Sequence, residues 1–192
     1  MRNIAALIYP LLFAGVVGCA STNMSRYPNV VLDPEENVGE VFFAFDVGGG
    51  GDRVDECVRK LITNNDIDIR DSSRASWFAG TVIMLLIPDR KSTLSGGDVI
   101  IESGKGKTVA VGSFPYSVTA GIDEYLVYRL TIEHRGKPMA YRFSDIKRVF
   151  KDTGFGKNQG PIPLRTHFGA RFEKIYPLIE AIPKEINECL SA

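Results

Sequence analysis

Two short turns set among β-branched and aromatic residues constrain this chain more than any other feature. Asp98–Glu102 and Thr108–Ser113 flank Gly104-Lys105-Gly106-Lys107, and Asp123–Glu133 and Met139–Phe143 flank Arg135-Gly136-Lys137-Pro138. Extended segments joined this tightly predict β-hairpins, and strands in direct succession predict an antiparallel sheet. Upstream, Val38–Val47 reads as a strand that ends at the glycine run Gly48–Gly51. Asp52 is placed to cap a helix in which Val54, Cys57, Val58, Leu61 and Ile62 recur at helical spacing, until Asn64-Asn65 closes it. Ile67–Arg70 alternates as a second strand, so this part predicts a β-α-β segment.

At the other end Leu164, Phe168, Phe172, Ile175, Ile179, Ile182, Ile186 and Leu190 keep helical period. Pro177 and Pro183 are expected to kink or split that helix. The predicted class is therefore α+β: an antiparallel sheet, the N-terminal β-α-β segment, and a kinked C-terminal helix packed on one face. Residues 38–192 make one domain. Acidic and basic residues balance at 23 each, which removes any general pull toward nucleic acid.

The N-terminus reads Met-Arg-Asn, then apolar Ile4–Phe13, then Ala14-Gly15-Val16-Val17-Gly18-Cys19. A basic start, an apolar core of about ten residues and a small-residue exit form a secretory pattern. Val16-Val17-Gly18-Cys19 resembles the lipobox of bacterial lipoproteins. That resemblance implies that residues 1–18 are a signal peptide cut after Gly18. It also implies diacylation of the Cys19 thiol, with palmitate-class chains that hold the protein to membrane lipid. Ala20 and Ser21 lack the aspartate of an inner-membrane retention signal, which points to the outer membrane, facing the periplasm. Residues 19–37, polar and carrying Pro28 and Pro34, are expected to be the acylated cysteine and a flexible tether.

Few residues suggest chemistry. The Gly48–Gly51 run fails the dinucleotide fingerprint because Arg53 stands where its third glycine belongs. Gly106-Lys107-Thr108 imitates the tail of a phosphate loop, but a strand follows where a helix is required. No cofactor is expected. His134, near a hairpin end, and His167, near a helix start, are the only histidines. No cysteine lies at metal-ligand spacing from either, so no metal is expected. An envelope hydrolase using one of them as base is an alternative, though no Gly-x-Ser-x-Gly elbow is present. Cys57 and Cys189 each fall on an apolar helical stripe. They are read either as a disulfide between helices or as two buried thiols.

Ala75–Pro88 holds no charge in fourteen residues, too few to span a bilayer. A central core strand or buried helix is the leading reading. Membrane contact through Trp77, Phe78, Met84, Leu85 and Leu86 is the second, and a protein contact the third. Tyr116, Tyr125, Tyr128 and Tyr141 suggest a cross-strand ladder. The functional expectation is a non-catalytic, lipid-anchored interaction or structural module with an envelope protein partner. A lipid-surface protein working through Ala75–Pro88 is a further alternative.

Overall fold

Both expected hairpins form. Lys105 and Gly106 take left-handed backbone, at φ 52° and 74°, and close a two-residue turn between Gly104 and Lys107. A Cβ on Gly106 would collide with the Arg135 side chain, so that turn needs glycine. A computed structural model describes residues 22–46, 51–71, 76–78, 81–83, 91–119, 122–152, 158–166 and 171–192.

In chain order the strands and helices are β1 (Val30–Leu32), β2 (Val38–Phe45), α1 (Val54–Leu61), β3 (Ile67–Arg70), β4 (Ser76–Phe78) and β5 (Thr81–Ile83). Then come β6 (Lys91–Leu94), β7 (Ile100–Gly104), β8 (Lys107–Thr119), β9 (Ile122–Glu133), β10 (Met139–Phe150), β11 (Ile162–Pro163) and α2 (Phe172–Ser191). The main sheet runs β1-β2-β10-β9-β8-β7, with β11 also on β10, and all its pairs are antiparallel. The fold class is α+β, with the C-terminal helix packed on the sheet.

Strand alternation sorts the long strands onto two faces. Leu126, Leu130 and Ile132 of β9 meet Tyr141 and Phe143 of β10 under α1 and α2, which contribute Val54, Cys57, Val58, Ile175, Ile179 and Ile186. Tyr125 and Val127 point the other way and join Val149, Ile67, Ile69 and Leu94 in a smaller cluster. Burial of these side chains is worth roughly 1.5–3 kcal/mol each and is the main force holding the helices down. Within α1, Asp55 and Glu56 in the first turn and Arg59 and Lys60 in the last complement the helix dipole.

Gly112 of β8 shows how tight the helix-covered face is. A Cβ there would stand 2.5 Å from Tyr128 Oη and 2.7 Å from Ile62 Cγ2. Gly112→Ala is expected to cost about 1–3 kcal/mol by overpacking, read as a lower unfolding midpoint.

Several expectations need correction. The strand–helix–strand order is present, but β3 does not join β2; it pairs with β6, Ile67 opposite Leu94 and Arg70 opposite Lys91. The tether does not extend to residue 37. Met24, Tyr27, Val30 and Leu32 pack on the core, and Thr22 N–H donates to Thr166 O at 3.3 Å. The Tyr27 ring meets Phe172 edge-on at 5.0 Å. Those apolar residues, thinly spaced in a polar stretch, outweigh its average composition.

Leu164 is not helical. It donates to Ile146 O and accepts from Val38 N–H, and prolines at 161 and 163 force this segment to be extended. From Phe172 onward α2 runs as one element through Pro177 and Pro183, so the prolines do not split it; Pro183 is itself buried among the stripe residues. Asp52 does not cap α1 but lies in a 3-10 turn before it. The tyrosines form no ladder. Tyr116 faces Glu124, Tyr128 faces Gly112, and Tyr125 lies on the opposite sheet face.

Candidate functional site

Cys19, Gly18, Met84, Leu85, Leu86 and His167 lie outside the described residues, as do Gly48–Gly50 and Phe168. Trp77 and Phe78 lie in β4, which pairs only with β5 among the described residues: Ser76 opposite Ile83, Trp77 opposite Val82, Phe78 opposite Thr81. These described residues of the uncharged run lie outside the main sheet. They form a two-stranded ladder that falls between β3 and β6 in the sequence.

Cys57 and Cys189 are joined as a disulfide, with Cα atoms 5.9 Å apart and a sequence separation of 132. It ties the middle of α1 to the last turn of α2 at a buried position.

His134 sits just past β9, its N–H donating to Gly106 O at 2.9 Å. Its Nε2 is 3.4 Å from Thr108 Oγ1, which in turn donates to Asp55 Oδ1 at 2.7 Å; Ser103 Oγ donates to the other oxygen of Asp55. In a hydrolytic pair the hydroxyl gives its proton to the imidazole, and a carboxylate orients that imidazole. Here the order differs, because the carboxylate holds both hydroxyls and the buried Thr108 oxygen has spent its proton on Asp55. The cluster's chemistry is to pin the first turn of α1 to the β7–β8 hairpin. Beside that turn a surface depression is lined by Glu102, Lys105, Lys107, Glu133 and Arg135, charges of both signs.

The most strongly perturbed group of side chains was not singled out from the sequence. Glu124 of β9 is 2% exposed, and Arg148 of β10 is 7% exposed. Arg148 donates to Glu124 Oε2 from Nη2 at 2.7 Å and from Nε at 3.0 Å, and Tyr116 Oη donates to the same oxygen at 2.6 Å. Arg171, just before α2, brings a second guanidinium within 3.8 Å of Oε1. A bulge in β10 between Ser144 and Lys147, with Asp145 at φ 52°, makes this arrangement possible. The extra residue puts Arg148, rather than Lys147, on the helix-covered face opposite Leu126. Burial acts to lower the Arg148 pKa, but the hydrogen bond and charge of Glu124 outweigh it and hold the guanidinium above its usual range.

Tyrosines in and around this core resist ionisation. Burial, then the bond to Glu124, pushes the Tyr116 phenol up, and burial pushes Tyr128 and Tyr141 up. Unfolded phenols lose their protons near pH 10, before the folded ones do. The stabilising contribution is therefore whole below about pH 10 and is lost as pH rises toward the folded values. Tyrosinate absorbance is expected to appear together with the unfolding transition in alkaline titration. Full ionisation in a protein still folded by circular dichroism would contradict this.

Among the described residues, no three or more histidine, cysteine, aspartate or glutamate side chains gather as a metal site. No described helix is long and apolar enough to cross a membrane. No known family model, curated protein or solved structure matches this chain.

Proposed function

We propose that this chain is an envelope lipoprotein, acylated at Cys19, whose α+β domain serves as a non-catalytic interaction module for another envelope component. The observation that carries this reading is the Cys57–Cys189 disulfide. Such bonds persist in oxidising compartments, which is where a lipobox-bearing chain would be delivered. Two or more acyl chains hold a protein stably, at roughly 0.8 kcal/mol per buried methylene.

Thr22 is already bonded to Thr166, and it stands three peptide steps from the residue that would be acylated. Three peptide steps reach at most about 10–11 Å, so the domain rides against the bilayer rather than at the end of a leash.

Metabolic labelling in a diderm bacterium tests the anchor. The native chain is expected to incorporate labelled palmitate and to fractionate with membranes, and Cys19→Ser to lose both. An intact Met1 with an unmodified Cys19 by mass spectrometry would end this reading. Crosslinking in the envelope followed by purification is expected to recover one specific protein; background proteins alone would remove the interaction role.

A further inference from the structure

The turn between β7 and β8 lies beside the end of β9, and the two leave a depression of about 390 Å³. Its charged walls are Glu102, Lys105, Lys107, Glu133 and Arg135. Strand pairing fixes this frame. Lys107 stands directly opposite Glu133 in the β8–β9 ladder and opposite Gly104 in the β7–β8 ladder, and His134 N–H donates to Gly106 O at 2.9 Å. The site is thus built on paired backbone rather than on a free loop.

Arg135 is positioned by packing. Its Cγ, Cδ and Nε are the atoms nearest to where a Cβ on Gly106 would stand, so only glycine there lets this side chain lie across the turn, between Lys105 and Lys107 in sequence. At Gly104, which also lines the depression, a Cβ would meet nothing within 4 Å, so the backbone is open to an incoming ligand.

The charges do not cancel in place. Lys107 Nζ is 3.3 Å from Glu102 Oε2, which matches one cation with one carboxylate. Lys105, Arg135 and Glu133 have no ion-pair partner among the described residues. Two cations and one carboxylate therefore line one concavity of small-ligand size without neutralising each other. Lys105 and Arg135 repel, and an anion between them removes that cost. A guanidinium takes a carboxylate or phosphate through two parallel hydrogen bonds, and an ammonium adds a point charge. Glu133 repels a bare anion but attracts an ammonium carried by the same molecule.

We propose that this depression binds a small zwitterion, a phosphate or carboxylate joined by a short chain to an ammonium. The oxyanion meets Arg135 and Lys105, and the ammonium meets Glu133. The site needs neither the lipid anchor nor a protein partner, so it stands or falls apart from both.

Nuclear magnetic resonance titration of the oxidised full-length protein tests it. The zwitterionic probes are O-phosphoethanolamine and β-alanine; ethyl phosphate, propionate and ethylamine each lack one of the two charges. A zwitterion is expected to shift the amide signals of residues 102–107 and 133–135 saturably, with affinity roughly threefold or more above its singly charged counterparts. The tighter of the two zwitterions identifies the anion. Arg135→Gln is expected to weaken binding roughly fivefold, the upper end for an exposed ion pair. Glu133→Gln is expected to erase the preference for the zwitterion, and Lys174→Ser, exposed on α2, to change nothing. An unchanged thermal transition is the folding control, and Lys105→Gln carries the same expectation as Arg135→Gln should the latter unfold. No saturable shift with either zwitterion, shifts scattered over the surface, equal affinity for singly charged probes, or binding undiminished in both cation variants would overturn the proposal.

Discussion

Glu124→Gln is expected to lower the unfolding free energy by about 3–5 kcal/mol, a large share of what holds a domain of this size together. The amide keeps the shape but removes the negative charge that the Arg148 guanidinium, only 7% exposed, meets through two of its hydrogen bonds. Arg148→Met is expected to cost a similar amount, because the buried carboxylate loses its two closest charged hydrogen bonds and keeps only the Tyr116 hydroxyl and the more distant Arg171. Removing both charges, as Glu124→Gln with Arg148→Met, is expected to cost much less than the sum, because neither charge of the pair is left facing a neutral partner. Urea unfolding of the four proteins at constant slope measures the coupling directly. Additive losses, or single changes costing under about 1 kcal/mol, would mean the cluster is hydrated and energetically slack.

Cys57→Ser with Cys189→Ser is the second large effect. The bond closes a loop spanning 132 residues of sequence separation, and releasing it returns that loop's freedom to the unfolded chain. The chain-entropy relation gives about 5 kcal/mol for a loop of this length. Two hydroxyls would then also sit at a buried helix–helix contact, since Cys57 has no exposed surface. The variant is expected to unfold at a much lower temperature, and the native protein to behave like it in strong reductant. A shift of only a degree or two would show that α1 and α2 are held by packing alone.

The antiparallel sheet was legible because its turns carry glycine at spacings that only hairpins use, as at Gly104–Lys107. The helical stripes were legible too. They put Cys57 and Cys189 on core-facing positions, although spacing alone left their pairing open.

Three features were not legible, for physical reasons. The bulge at Asp145 shifts the face of every residue after it, so simple alternation assigns Arg148 to the wrong side. The partner of β3 is Lys91-Ser92-Thr93-Leu94, a polar segment that signals no strand by itself. Residues 22–37 average as polar, yet a few well-placed side chains, Tyr27 above all, dock them on α2.

The sulfur bridge also makes the molecule a covalent ring from residue 57 to residue 189, and the segment that joins β3 to β6 in sequence lies inside it. A protease that cuts once in that segment therefore releases nothing. On a non-reducing gel the nicked protein is expected to migrate as one species, and on a reducing gel as two fragments. A single cut inside that ring would leave both pieces joined until the sulfur bridge is reduced.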